Sequence, residues 1–353
     1  MTILSRSAVD RGLVTAQCDV CFPQHIATTT LTHLQGRGWL LRDLGDEMDM
    51  CPHCRYEPQQ GHEPRATRAR RHDGGGGQLP TFFVIGAAKA GTTSLFHYLD
   101  QHPDLYLTPQ KELHYFCDPD CRQWESLYRE EFVTEAGVRG EASTLYTRSP
   151  AIPGVPGRMA ALVPDARLVY LVRDPVERAL ASWREERFHV TERRSAAEAF
   201  AYPEDPHNPY VAASCYAQQL ENYLEHFAEE QVLVLDQREL ATDGQRVVDR
   251  VVDFLGLAPR ALDTSVRHNE AASKLEYGAF GHRLRFTAPA RAVRRLPEPA
   301  RRVLTAPARR FLRRPIEHPE LPDELMQRMR ETLAADARRF RELTGRSFAH
   351  WSV

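Results

Sequence analysis

Four stretches of this chain carry residue types at spacings that could do chemistry. The first is Gly86-Ala87-Ala88-Lys89-Ala90-Gly91-Thr92-Thr93-Ser94, set between the apolar run FFVIG and the stretch TTSLFHYLDQ. A glycine-rich turn between a strand and a helix aims backbone amides and the positive end of the helix dipole at an anion. Thr92, Thr93 and Ser94 add hydroxyl donors, so the stretch predicts a phosphate cradle. A Walker loop has its lysine directly after the second glycine. Here Thr92 holds that place and Lys89 lies inside the loop. The second stretch, RLVYLVRDPVERALASW (Arg167–Trp183), reads as a strand, a turn at Asp174-Pro175 and a helix. The third, TPQKELHYF (Thr108–Phe116), brings Lys111, Glu112 and His114 together. A carboxylate beside cations stays ionised and can take a proton from an attacking group. The fourth is a pair of C-x-x-C turns, Cys18/Cys21 and Cys51/Cys54, separated by 29 residues. Two thiolate pairs can close a tetrahedral zinc site, and a segment this short has too little core to fold without one.

The loop with its internal Lys89, its hydroxyl run and the trailing His102-Pro103 resembles the 5′-phosphosulfate loop of sulfotransferases. The resemblance implies 3′-phosphoadenosine 5′-phosphosulfate as co-substrate, held by Gly86 to Ser94. Lys89 would reach the oxygen that bridges phosphate and sulfate, and no metal would be needed. The Arg167–Trp183 stretch resembles the family's second signature, which implies that Arg173 and Ser182 grip the donor's 3′-phosphate. KELHYF is similar to a block of carbohydrate-type and related bacterial members. It implies Glu112 as the general base, His114 as an orienting or second proton-handling group, and Lys111 nearby as a substrate-binding residue. Some heparan-type members follow this block with an aspartate, whereas here Cys117 precedes Asp118. GEASTLY (Gly140–Tyr146) resembles the segment that lines the acceptor cleft, implicating Glu141, Ser143 and Tyr146. Tyr216 matches a family tyrosine on the acceptor side, and Lys274, in RHNEAASK, falls where a late loop closes over the donor. The resemblance spans about residues 80–353.

These side chains need a scaffold, and its elements are readable. FFVIG, LYLT, RLVYLV and QVLVLD read as strands, separated by helices over TTSLFHYLDQ, PVERALASWREER, Ala212–Phe227 and Gln245–Phe254. Alternating strands and helices predict an α/β, P-loop-like three-layer fold: a central parallel sheet flanked by helices. A closing amphipathic helix carries Leu325, Met329, Leu333, Phe340 and Leu343 on one face. Ahead of this domain (80–353) come a zinc-ribbon-like module (1–60) and a glycine- and arginine-rich linker (61–79).

Bulk composition limits the remaining choices. The chain has 353 residues, 42% hydrophobic and 27% charged, with a net charge of −2. No run of about 18 apolar residues occurs, and Arg6, Asp10 and Arg11 interrupt any leader-like stretch, so the expected compartment is the cytoplasm. Residues 1–60 carry five arginines against seven acids, the wrong sign for a nucleic-acid contact, which leaves docking to a partner protein as a role for the zinc module. Lysine is scarce: Lys89, Lys111 and Lys274 stand against 43 arginines, eleven of them within Arg283–Arg314. The expected acceptor is a small molecule or glycan. Two competing readings are a P-loop nucleotide phosphotransferase, and a non-catalytic zinc adaptor.

Overall fold

The computed structural model describes residues 77–109, 111–189, 192, 194–266 and 321–353, together with four short strands elsewhere. The chain divides into two compact units, Met1–Asp73 and Gly74–Val353. In the first, β1 (Val14–Gln17) pairs antiparallel with β2 (Ile26–Thr29). Cys18, Cys21, Cys51 and Cys54 lie outside the described residues, as do Lys274 and most of the arginine-rich stretch.

The second unit is built on five parallel strands: β3 (Phe82–Gly86), β4 (Leu105–Leu107), β5 (Val138–Ala142), β6 (Arg167–Val172) and β7 (Val232–Asp236). Their order across the sheet is β4-β5-β3-β6-β7. All five residues of β3 are buried, and so are the last five of β6. Such continuous apolar runs mark strands covered on both faces. β5 breaks that rule with VRGEA, and its place beside β3 depends on Gly140, because a Cβ there would collide with the Phe82 ring. A second, antiparallel pair joins β8 (Leu275–Tyr277) to β9 (Arg313–Pro315).

The helices relevant to the site are α1 (Thr92–Leu99), α2 (Val155–Leu162), α3 (Pro175–His189), α4 (Pro209–Ala212), α5 (Tyr216–Leu224), α6 (Gly244–Phe254) and α7 (Asp323–Thr344). The helix expected over roughly Ala212–Phe227 is present as α5 but starts only at Tyr216, with Ala212 closing the separate α4. Ser214 leaves helical bonding to donate from its hydroxyl to the Pro175 carbonyl (2.8 Å) and to accept from Arg178 Nε (2.6 Å). α5 then starts afresh, its Ala217 and Gln218 amides each donating to the Asp336 carboxylate on α7 at 3.0 Å. The closing helix buries Met329, Leu333, Ala337 and Phe340, while Leu325 and Leu343 pack at the margin.

In this strand order β3 is followed in space by β5 on one side and β6 on the other. Such a reversal opens a crevice beyond the carboxyl ends of the strands, where open α/β sheets bind ligands. The Gly86–Gly91 loop leaves β3 there, Thr108–His114 follows β4, Ser143–Thr147 follows β5, and Arg173-Asp174 follows β6. Among the described residues no helix is long and apolar enough to cross a membrane.

Candidate functional site

The loop after β3 is tight. The Ala87 amide donates to the Leu171 carbonyl (2.6 Å) and the Ala90 amide to the Ala87 carbonyl (3.1 Å). Gly86 permits close approach, since a Cβ there would clash with Thr147 Oγ1. Gly91, at φ 95°, caps α1 in the left-handed region that glycine occupies without penalty. Lys89 also has positive φ, 70°, and its ammonium sits 3.0 Å from Glu185 Oε2 on α3. The first intrahelical bond of α1 runs from the Leu95 amide to the Gly91 carbonyl (3.2 Å), and the amides at the start of a helix have no helical acceptor. Thr92 and Ser94 are buried against this helix start.

Glu112 lies opposite, in a segment laid against the end of β5. The Glu112 amide donates to the Ala142 carbonyl (2.9 Å), the His114 amide to Ser143 Oγ (3.1 Å) and the Phe116 amide to the Tyr146 hydroxyl (3.4 Å). Glu112 and His114 sit at φ 65° and 56°, and left-handed backbone at such residues costs on the order of 1–3 kcal/mol each. The four strand-to-segment bonds hold that geometry. The fourth of them comes from the Thr144 amide, which donates to Glu112 Oε2 at 2.6 Å. Lys111 Nζ donates to Glu112 Oε1 at 2.7 Å and reaches Thr92 Oγ1 and Thr93 Oγ1, each at 3.4 Å. His114 Nδ1 is 3.7 Å from Glu112 Oε2. Burial would push the Glu112 carboxyl up, but the charges of Lys111 and His114 and the hydrogen bonds from Lys111 and Thr144 outweigh it. They hold the group below the usual carboxylate range.

On the far side of β3, Arg173 directly follows β6 and pairs with Glu177 Oε2 (2.7 Å) on the first turn of α3. Ser182 is buried two turns along, one helical turn beyond the fully buried Arg178. Asp174 accepts from the Glu177 amide (3.0 Å) and also from the amide and hydroxyl of Ser352, so the C-terminal segment pins this turn. His350 Nε2 makes a parallel attachment to Asp236 Oδ2 (3.2 Å) at the end of β7.

The expected residues therefore fall into three groups. Thr92, Thr93, Lys111, Glu112 and His114 converge beyond the carboxyl ends of the strands, with Lys89 in the loop before Thr92, Arg173 on the neighbouring strand-to-helix turn and Ser182 two turns into α3. Glu141, Ser143, Tyr146 and Tyr216, expected to line the acceptor cleft, are shut off from solvent. Tyr216 packs edge-on to Tyr170 (5.9 Å) and against Phe340 and Trp351 in the core. Glu141 accepts from the Tyr146 hydroxyl, and burial pushes its carboxyl up to about 8 against the pull of that bond. Lys274 is outside the described residues. Among the described residues no cluster of three or more His, Cys, Asp or Glu could hold a metal, and Cys117, Cys121 and Cys215 are free thiols. Sequence reasoning missed Thr144 and Glu185. Thr144 sits in the quoted GEASTLY, but its contact is made by a backbone amide. Glu185 pairs across 96 positions with no local signal.

Comparison with known proteins adds an independent line. A family model described as sulfotransferase domain matches residues 79–274. Bifunctional heparan sulfate N-deacetylase/N-sulfotransferase 4 of Mus musculus is 30% identical over 203 residues, which is 51% of this chain and 23% of that protein. The chain thus spans about a quarter of the length of such relatives. Heparan sulfate glucosamine 3-O-sulfotransferase 6 of Homo sapiens is 27% identical over 281 residues, 77% of this chain and 73% of that one. Among solved structures, a sulfotransferase from Alicyclobacillus acidocaldarius aligns with a TM-score of 0.57 at 27% identity, covering 78% of this chain and 100% of the other.

Proposed function

The chain belongs to the sulfotransferase domain family, and on that premise we propose that it moves a sulfuryl group from 3′-phosphoadenosine 5′-phosphosulfate to a hydroxyl or amine of a carbohydrate or similar acceptor, with Glu112 as general base. One observation carries the reading. Lys111 touches Thr92 and Thr93 at the start of α1 and also Glu112, so the anion cradle and the base form one site.

The residues present suit the donor. Its phosphosulfate fits the N-terminus of α1, with helix-start amides, the Thr92, Thr93 and Ser94 hydroxyls and the Lys89 ammonium around it. Its 3′-phosphate fits the turn carrying Arg173, with Ser182 on the same helix. In the reaction the acceptor oxygen or nitrogen bonds to sulfur in line while its proton passes to Glu112. The bond from sulfur to the bridging oxygen breaks, and Lys89 stabilises the charge that collects on the leaving phosphate. Positioning and this electrostatic stabilisation supply most of the gain. The relatives' names refer to both an N- and a 3-O-sulfotransferase of heparan sulfate, which supports a sugar amine or hydroxyl as the acceptor class. The proposal also assigns a structural zinc to Cys18, Cys21, Cys51 and Cys54, supported by the two C-x-x-C pairs.

Calorimetric titration with 3′-phosphoadenosine 5′-phosphate and, separately, ADP tests the donor assignment. Tight binding of the first and weak binding of ADP, both without magnesium, is the expected result. Equal affinities, or a strict need for magnesium, would return the loop to a nucleotide phosphotransferase.

A further inference from the structure

Glu112 presents a difficulty as a base. Both its oxygens are engaged, one by Lys111 Nζ at 2.7 Å and the other by the Thr144 amide at 2.6 Å. A carboxylate so well satisfied is a poor proton acceptor. The Thr144 bond is fixed by the backbone of the turn after β5, but the Lys111 bond ends a flexible four-carbon stem. That ammonium has three N–H donors, and the two groups it reaches besides Glu112 are hydroxyls at the N-terminus of α1, each at the long distance of 3.4 Å.

We propose that Lys111 couples donor binding to the base: an anionic phosphosulfate on the Gly86–Ser94 loop draws its ammonium toward Thr92 and Thr93 and off Glu112. The inference rests on the donor assignment above and goes beyond it by giving the two ends of the site one shared cation. The donor's multiple charge at a helix N-terminus competes with a single carboxylate for that cation, and the donor wins on charge and on the number of acceptor oxygens. Glu112 is then left with the Thr144 amide, the Thr144 hydroxyl at 3.2 and 3.3 Å from its two oxygens, His114 at 3.7 Å and its own burial. Glu141 and Cys117 also face it from β5 and from the turn after His114; neither supplies a cation. Burial then meets opposition only from His114 and Thr144, and the base is strengthened at the moment the donor is in place. The acceptor proton therefore finds a competent base only beside a loaded loop.

Residue choice points the same way. With 43 arginines available, the chain has lysine here. An arginine would grip Glu112 with a rigid two-pronged fork and stay there, while a compact ammonium can change partners.

A double-mutant cycle on affinity for 3′-phosphoadenosine 5′-phosphate, measured by calorimetry, tests the coupling. Glu112→Gln preserves an acceptor for the Thr144 amide and releases Lys111, so affinity should rise about five- to tenfold; Lys111→Met should lower it at least about tenfold. In the Lys111→Met background, adding Glu112→Gln should change affinity by no more than about twofold. The inference is overturned if Glu112→Gln leaves affinity unchanged with Lys111 present. It is equally overturned if Glu112→Gln tightens binding by the same factor without Lys111, since that would be simple loss of a repelling charge. Wild-type protein that does not prefer this nucleotide to ADP overturns the donor assignment and this inference together. A wild-type preference with an additive cycle overturns this inference alone.

Discussion

Glu141 has no solvent exposure, accepts from the Tyr146 hydroxyl, and shares that hydroxyl with the Phe116 amide, close to the segment that carries Glu112. Burial pushes its carboxyl up to about 8, and the nearby Glu112 charge adds to the rise. In the unfolded chain the same group loses its proton near its ordinary value of 4.5. Between those values the unfolded state binds fewer protons than the folded state, so this group makes stability fall as pH rises. Glu141→Gln should flatten that fall. Urea melts at pH 5 and pH 8 should show the variant gaining on wild type by on the order of 3 kcal/mol at the higher pH. An unchanged slope would mean that Glu141 ionises normally. At this scale the sequence offered candidates wherever residue types stand at a recognisable spacing, as with Lys89, Lys111, Glu112 and His114, and the structure brings the last three together. It was silent where a backbone amide does the work, as at Thr144, or where the partner is remote, as with Glu185 and Ser352. Glu141 and Tyr146 were visible as polar residues. Nothing local distinguishes a cleft-lining carboxyl from one sealed in the core near Glu112.

Among the elements, those with a strong pattern were legible and those held by tertiary contacts were not. FFVIG and the LVYLV of β6 are apolar because both faces are covered, so their strands were evident. β5 was not, since VRGEA has neither alternation nor an apolar run and owes its place to Gly140 beneath Phe82. The split between α4 and α5 was hidden for a similar reason: it is imposed by Arg178 and Pro175 through Ser214, and by Asp336 on α7. That aspartate acts as a helix cap supplied from another element. Asp336→Ala should cost about 1–2 kcal/mol of stability, read as a lowered urea midpoint at constant slope. Burial pushes the Asp336 carboxyl up to about 6 against the two amide bonds, so the cap is not a fully charged one at mildly acid pH. Asp336→Asn, which keeps an acceptor, should therefore lose less than Asp336→Ala.

At the scale of the whole molecule, the two units pose different questions. The larger one carries the family match at 79–274, and its sheet places the loop ends where the strand order predicts a ligand. The smaller one carries the zinc proposal. Metal analysis of purified protein should find one zinc per chain, and Cys51→Ser should remove it; protein free of zinc when purified without chelators would end the assignment. Beyond either unit lies the chain's economy of lysine. Two of its three primary side-chain amines, Lys89 and Lys111, lie in or beside the Gly86–Ser94 stretch. On most proteins an acylating dye scatters over dozens of surface amines, but here side-chain labelling has few places to go. Excess amine-reactive fluorophore should abolish nucleotide binding, with peptide mapping locating dye on Lys89 or Lys111 and prior nucleotide protecting both. The same scarcity turns a routine conjugation reagent into an occupancy probe for the donor site, usable before any acceptor is known.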